Sequence, residues 1–195
     1  MGSTSYSPDQ LDALRELANI GSGTAGTALS SILGRAVDIS VPSVAAMNIQ
    51  DAVEEIGDAD REVRVTLVPI QGDLTGSALL LFPPEDAATL CRLVGCDPDG
   101  EDGISALAEI GNILCASYLT ALGQMLGMEI EPCPPETAWD LLGAIVATVL
   151  IGQGDSDEAL LLDSQLIVEG ESCSLSFLLL PANGGIRELL GRLGL

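Results

Sequence analysis

Residues 12–42, DALRELANIGSGTAGTALSSILGRAVDISVP, and residues 105–135, SALAEIGNILCASYLTALGQMLGMEIEPCPP, lie over each other without a gap at a constant offset of 93. Ala13 falls on Ala106, Leu14 on Leu107, Glu16 on Glu109, Asn19 on Asn112 and Ile20 on Ile113. Further along, Thr27, Ala28 and Leu29 fall on Thr120, Ala121 and Leu122, and Leu33-Gly34 on Leu126-Gly127. The match closes with Pro42 on Pro135. A fixed period of this length marks a duplicated structural unit.

Outward from this segment the duplication is looser. Thr75–Pro83, TGSALLLFP, resembles Ser172–Pro181, SCSLSFLLLP. Each reads as a buried strand stopped by proline, and a short helical stretch follows, 85–94 in one copy and 185–193 in the other. Residues 62–70 and 159–169 read as the preceding strands. Each half is therefore a long helix, a short strand, a connecting segment, two strands and a short helix. The expectation is an α/β fold of α+β, sandwich-like type. Its two pseudo-symmetric halves, about 7–97 and 100–195, share a mainly antiparallel sheet and one core in a single domain, 1–195. No Pro/Gly/Ser-rich linker separates the halves.

The first helix has a clear start. Ser7 is an N-cap, Pro8 suits the first helical position, and Gln10 can close a capping box. At about 100° per residue, Leu11, Leu14, Ala18, Gly21, Ala25, Ala28, Leu29 and Ile32 form a core stripe. Asp12, Glu16 and Asn19 lie on the opposite face, continued by Gly23, Gly26 and Ser30. In the second copy Ile104, Leu107, Gly111, Leu114, Tyr118, Ala121, Leu122 and Met125 form the stripe. Ser105, Glu109 and Asn112 face outward there, followed by Ala116 and Gly123. Polar residues on an exposed helix face are ordinary. Two details are not. Asn is a poor helix former, yet it sits mid-helix in both copies, and glycine within a helix costs about 1 kcal/mol relative to Ala. Outward glycine lets another chain approach closely, so a docking surface accounts for both.

Gly21-Ser-Gly-Thr-Ala-Gly26 also fits the dinucleotide fingerprint, but that fingerprint needs a strand before the glycines. Here a helix precedes them, and the second copy lacks them while keeping Glu109 and Asn112. A hydrolase using Glu16 or Glu109 as base would want a partner carboxylate, histidine or nucleophile, and no such pattern is found.

The chain of 195 residues has a formal net charge of −22, seven arginines, no lysine and no histidine. Such a surface repels nucleic acid and anionic membranes, because phosphate affinity comes from basic side chains. It suits a cytoplasm at molar salt, where the Debye length falls to roughly 3 Å. The cysteines, Cys91, Cys96, Cys115, Cys133 and Cys173, form no C-x-x-C pair, and without histidine they suggest buried, reduced thiols rather than a metal site. The polar start MGSTSYSPDQ is not a signal peptide. The longest uncharged apolar run, 141–151, falls short of the ~20 residues that span a bilayer. The expectation is a cytoplasmic protein without membrane insertion.

Asp12-x3-Glu16-x2-Asn19-x22-Pro42 and Ser105-x3-Glu109-x2-Asn112-x22-Pro135 both fit [D/S]-x3-E-x2-N-x22-P. This pattern resembles the signature of the CheC, CheX and FliY phosphatases of chemotaxis, and two intact copies resemble the CheC branch. The resemblance implies hydrolysis of the aspartyl phosphate on a phosphorylated CheY-like response regulator. Asn19 and Asn112 would orient the attacking water, and Glu16 and Glu109 would pair with the regulator's lysine. Asp12, Ser105, Gly23 and Gly26 would line the docking face. The chain would need no cofactor of its own, the Mg²⁺ being the regulator's. It also implies a second partner, the receptor deamidase CheD, docking on a helix at 135–145 through Asp140. The rival is a non-catalytic adaptor that binds a response regulator or regulates CheD without turnover.

The charge generates the first prediction. Between roughly 0.1 M and 3 M KCl, screening should raise the melting temperature by about 10 °C or more. A midpoint indifferent to salt in scanning calorimetry would remove the molar-salt reading.

Overall fold

Ser7 opens the first helix through a reciprocal cap: its Oγ accepts from the Gln10 amide at 3.2 Å, and Gln10 Oε1 accepts from the Ser7 amide at 2.8 Å. The helix so started, α1 (Pro8–Leu33), ends at Gly34, whose φ of 62° is left-handed and suits glycine. Its duplicate α4 (Glu101–Leu126) ends the same way at Gly127. Both helices have 26 residues, and both ends obey the offset of 93. The computed structural model of the chain describes residues 7–153, 158–182, 186, 189 and 191.

After α1 come β1 (Val37–Asn48), α2 (Ile49–Ile56), β2 (Glu62–Gly72), β3 (Gly76–Phe82) and α3 (Pro84–Leu93). After α4 come β4 (Ile130–Pro132), β5 (Glu136–Leu141), α5 (Leu142–Gln153), β6 (Glu158–Val168) and β7 (Glu171–Pro181). The strands form one antiparallel sheet in the order β1-β6-β7-β3-β2-β4, with β5 also on β2. Exchanging the two halves reverses this order onto itself. The pseudo-two-fold axis therefore passes between β3 and β7, and the first strand of each half pairs with the other half.

The repeated prolines mark a shared irregularity. On β1 the register advances from Ser40 to Ser43 while β6 moves only from Gln165 to Asp163. Across β4 and β5 it advances from Pro132 to Glu136 while β2 moves from Ile70 to Leu67. One extra residue enters beside Pro42 and beside Pro135. Proline has no N–H to give the ladder, so it collects at such bulges.

The sheet is covered on both faces. On β3, Ala78, Leu80 and Phe82 face a core shared with α1, α3 and α4, while Leu79 and Leu81 face a second layer under α2 and α5. On β7, Phe177 and Leu179 face the first and Leu178 and Leu180 the second. Burial on both faces explains the continuous apolar runs, which are uncommon in antiparallel strands. Helix α4 is long and apolar enough to cross a bilayer, but half of its most apolar window is buried within the fold, as in a core helix.

Several sequence expectations are corrected. Ile32 and Ile104 are not core residues; they are 60% and 43% exposed. Gly26 is buried, not outward, because the chain returning into β1 covers it: a Cβ there would lie 3.3 Å from the Val37 carbonyl. Ser30 is also drawn inward, accepting from the Val37 amide at 2.9 Å. Gly123 is buried against the Met128 carbonyl in the same way. A helical wheel predicts one buried stripe, whereas each helix here is wrapped a second time by its own following strand. The short helix expected at 185–193 lies largely outside the described residues, although Ile186 and Leu189 are buried in the core.

Helices α1 and α4 meet at Gly21, where a Cβ would collide with Tyr118 Cδ1 and lie 3.1 Å from its Cα. Tyr118 is buried, packs on Phe177 at 4.9 Å between ring centres and shares a hydrogen bond with Ser164. Gly21→Ala should therefore force the helices apart and lower the unfolding free energy by about 2 kcal/mol in urea titrations. Gly23→Ala, whose methyl meets nothing within 4 Å, should be neutral or stabilising by up to ~1 kcal/mol.

Candidate functional site

A residue one helical turn from another shares its face, so α1 presents Glu16 and Asn19 together, and α4 presents Glu109 and Asn112. Glu16, Asn19 and Glu109 are exposed and Asn112 is half-buried. Among the described residues, none of these four side chains makes a hydrogen bond or ion pair within the fold. A carboxamide can donate and accept at once, and here that capacity is unspent. Elsewhere along α1 the hydroxyls are used locally: Ser22 donates to the Asn19 carbonyl at 3.0 Å, and Thr24 and Thr27 to the carbonyls four residues back.

The flanking predicted residues divide. Asp12 is exposed but engaged by Arg15 at 2.9 Å. Ser105 is exposed, and Gly23 opens onto free space. Gly26 does not belong to the outer face, being under β1. The two Glu–Asn pairs stand on packed neighbouring helices, but Asn112 lies six residues from the Tyr118 that meets Gly21, about 9 Å along the helix.

Asp140 stands apart from both motifs. Residues 136–141 are not helical as expected: they form β5, each opposite a β2 residue from Leu67 to Glu62. Helix α5 begins only at Leu142. Pairing with β2 outweighs helical propensity here, and Trp139 adds to it by stacking over the Arg64 guanidinium at 4.3 Å. Asp140 remains exposed, with Oδ1 accepting from the Leu141 amide at 2.8 Å.

Sequence reasoning missed what lies beside the second motif. A pocket of about 150 Å³ opens between β2, β5 and α4, lined by Arg64, Thr66, Ile104, Leu107, Ala138 and Trp139 among others. Arg64 is 12% exposed and pairs with Asp99 at 3.0 Å. No periodicity signals this, because the pocket joins three elements distant in sequence; the single Trp139 was the available hint.

Other chemistries find no support among the described residues. No group of three or more His, Cys, Asp or Glu is placed to hold a metal. The five thiols are free. Burial pushes those of Cys91 and Cys115 up, and that of Cys173 to about 11, away from the thiolate that a nucleophile requires.

Comparison with known proteins finds the same two segments. A model of the CheC-like family matches residues 10–45 and 103–138. The CheY-P phosphatase CheC of Bacillus subtilis is 32% identical over 95% of this chain and 94% of its own. The flagellar motor switch phosphatase FliY of the same organism is 34% identical over 64% of this chain and 34% of its own. Among solved structures, Thermotoga maritima FliY superposes with a TM-score of 0.76, at 24% identity and 98% coverage of both chains, which places the fold.

Because the Asn19 and Asn112 side chains make no hydrogen bond among the described residues, Asn19→Ala and Asn112→Ala should each leave unfolding free energy within ~0.5 kcal/mol of the parent, or slightly above it. A loss near 2 kcal/mol in denaturant titrations would mean that either side chain is structural.

Proposed function

The chain belongs to the CheC-like family, and from that membership we propose that it is a phosphatase acting on the aspartyl phosphate of a phosphorylated CheY-like response regulator. The observation that carries this reading is the twofold presentation of a Glu and an Asn, one turn apart, with no hydrogen-bond or ion-pair partner among the described residues.

The chemistry asks little of the protein. An acyl phosphate is already activated, so catalysis consists of placing a water in line with the bond that breaks. Water oxygen attacks phosphorus, the bond to the aspartyl oxygen breaks, and inorganic phosphate leaves the regenerated carboxylate. The water's protons pass to phosphate and solvent. Asn19 or Asn112, inserted beside the phosphoryl group, would accept from that water and donate to a neighbouring oxygen without being consumed. Glu16 or Glu109 would meet the regulator's lysine and set the register of docking. The Mg²⁺ that neutralises the phosphoryl oxygens would be the regulator's own. The open space at Gly23 would admit the partner's backbone on the first helix.

The two pairs act independently in this reading, each with its own regulator molecule. A strongly acidic surface favours a partner whose docking face is basic, and it would speed encounter at low ionic strength. The deamidase CheD, if it binds through Asp140, would meet an exposed strand, not a helix. The protein would act in the cytoplasm, where response regulators are phosphorylated.

Replacing Asn19 and Asn112 together by Ala should return phosphate loss from a ³²P-labelled regulator to that regulator's own rate, while each single replacement keeps part of the acceleration. Turnover at the parent rate by the folded double variant would refute the mechanism. Binding of the phosphorylated regulator by the parent with no acceleration would establish the adaptor instead.

A further inference from the structure

The two helices are duplicates, but they are not seated on the sheet in the same way. Thr66 of β2 sits buried beneath α4, and its Oγ1 donates to the Leu107 carbonyl at 3.2 Å. In a regular helix that carbonyl also accepts from the amide four residues on, at Gly111. A carbonyl has two lone pairs and can take both bonds. Gly111 makes the approach feasible: a Cβ there would lie 2.5 Å from both Thr66 Cβ and Thr66 Oγ1. The hydroxyl and the missing methyl are thus one arrangement.

The first half lacks it. Thr66 pairs with Thr137, and 93 residues earlier Val44 pairs with Leu162, so Leu162 is the counterpart of Thr66. The counterpart of Gly111 is Ala18. Both are fully buried in the one apolar core that α1 and α4 cover. Leucine has no side-chain donor, and among the described residues no side-chain hydrogen bond joins α1 to β6 at this point.

We propose that Thr66 is a positioning residue for the second Glu–Asn pair. It fixes α4 at the Leu107 carbonyl, two residues before Glu109 and five before Asn112, and so sets the height of that pair above the sheet. Among the described residues the first pair has no such hydrogen bond, and the equivalent positions, Ala18 and Leu162, are apolar. The greater burial of Asn112 relative to Asn19 agrees with a helix drawn down onto its strand. This inference rests on the phosphatase reading, and it makes the two sites unequal: the second is the more rigidly aligned.

The test isolates each site. In the Asn19→Ala protein only the second pair remains, and in the Asn112→Ala protein only the first. Thr66→Val should lower kcat of the Asn19→Ala protein about tenfold with KM within about twofold. Thr66→Ser, which keeps the hydroxyl, should restore it. The Asn112→Ala protein carrying Thr66→Val should stay within about twofold of its parent. Equal losses in both backgrounds, or no loss in the first, would overturn the proposal. Amide exchange followed by mass spectrometry gives a readout independent of turnover. Thr66→Val should speed exchange in residues 105–115 several-fold and leave residues 12–22 unchanged. Unchanged exchange in α4 would also overturn it. If neither single-site protein accelerates phosphate loss, the phosphatase reading is what fails, and amide exchange still decides whether Thr66 holds α4.

Discussion

Each half of this chain closes the other half's sheet. Strand β1 pairs with β6 and β5 pairs with β2, while β3 and β7 meet at the centre. Neither half has a complete sheet alone, so the duplication folds as one unit. The central strands are buried on both faces, which dictates helices above and below: α1, α3 and α4 on one side, α2 and α5 on the other. With the sheet fixed, the long helices have little freedom. They lie side by side over one face, close enough that Gly21 must yield its side-chain space to Tyr118.

That confinement explains where chemistry can sit. The second helix is buried around most of its circumference, by the sheet, by α1 and by the strand that follows it. A narrow outer strip remains, and both helices place Glu and Asn on theirs. Among the described residues neither side chain makes a hydrogen bond or ion pair, so their presence mid-helix needs a reason outside the fold, which the proposed phosphatase role would supply. The acidity needs no such explanation from specific contacts. The ion pairs of Arg15, Arg35 and Arg61 join side chains that are all at least 39% exposed, where such pairs contribute little. Arg64 is the exception, enclosed between Trp139 and Asp99 next to the second motif.

Duplication with divergence leaves two Glu–Asn pairs in different surroundings. The second motif has a pocket beside it and a threonine beneath it. The first has Leu162 where the second has Thr66, Ala46 where it has Trp139, and the open surface at Gly23.

The sequence by itself determined the repeat, the two long helices with the capped start of the first, the buried strands and the two Glu–Asn pairs. Each of these is written in local periodicity: 3.6 residues for a helix stripe, an unbroken apolar run for a strand covered on both faces, and cap residues for the ends. Only the tertiary structure decided the partners. That β1 crosses to the other half, that Gly26 and Gly123 are buried, that residues 136–141 are a strand, and that Thr66 reaches the Leu107 carbonyl are all long-range facts. Local pattern shows which face of an element is apolar. It does not show how many neighbours will cover that element, and here a returning strand and a foreign sheet edge override both the helical wheel and the local propensity.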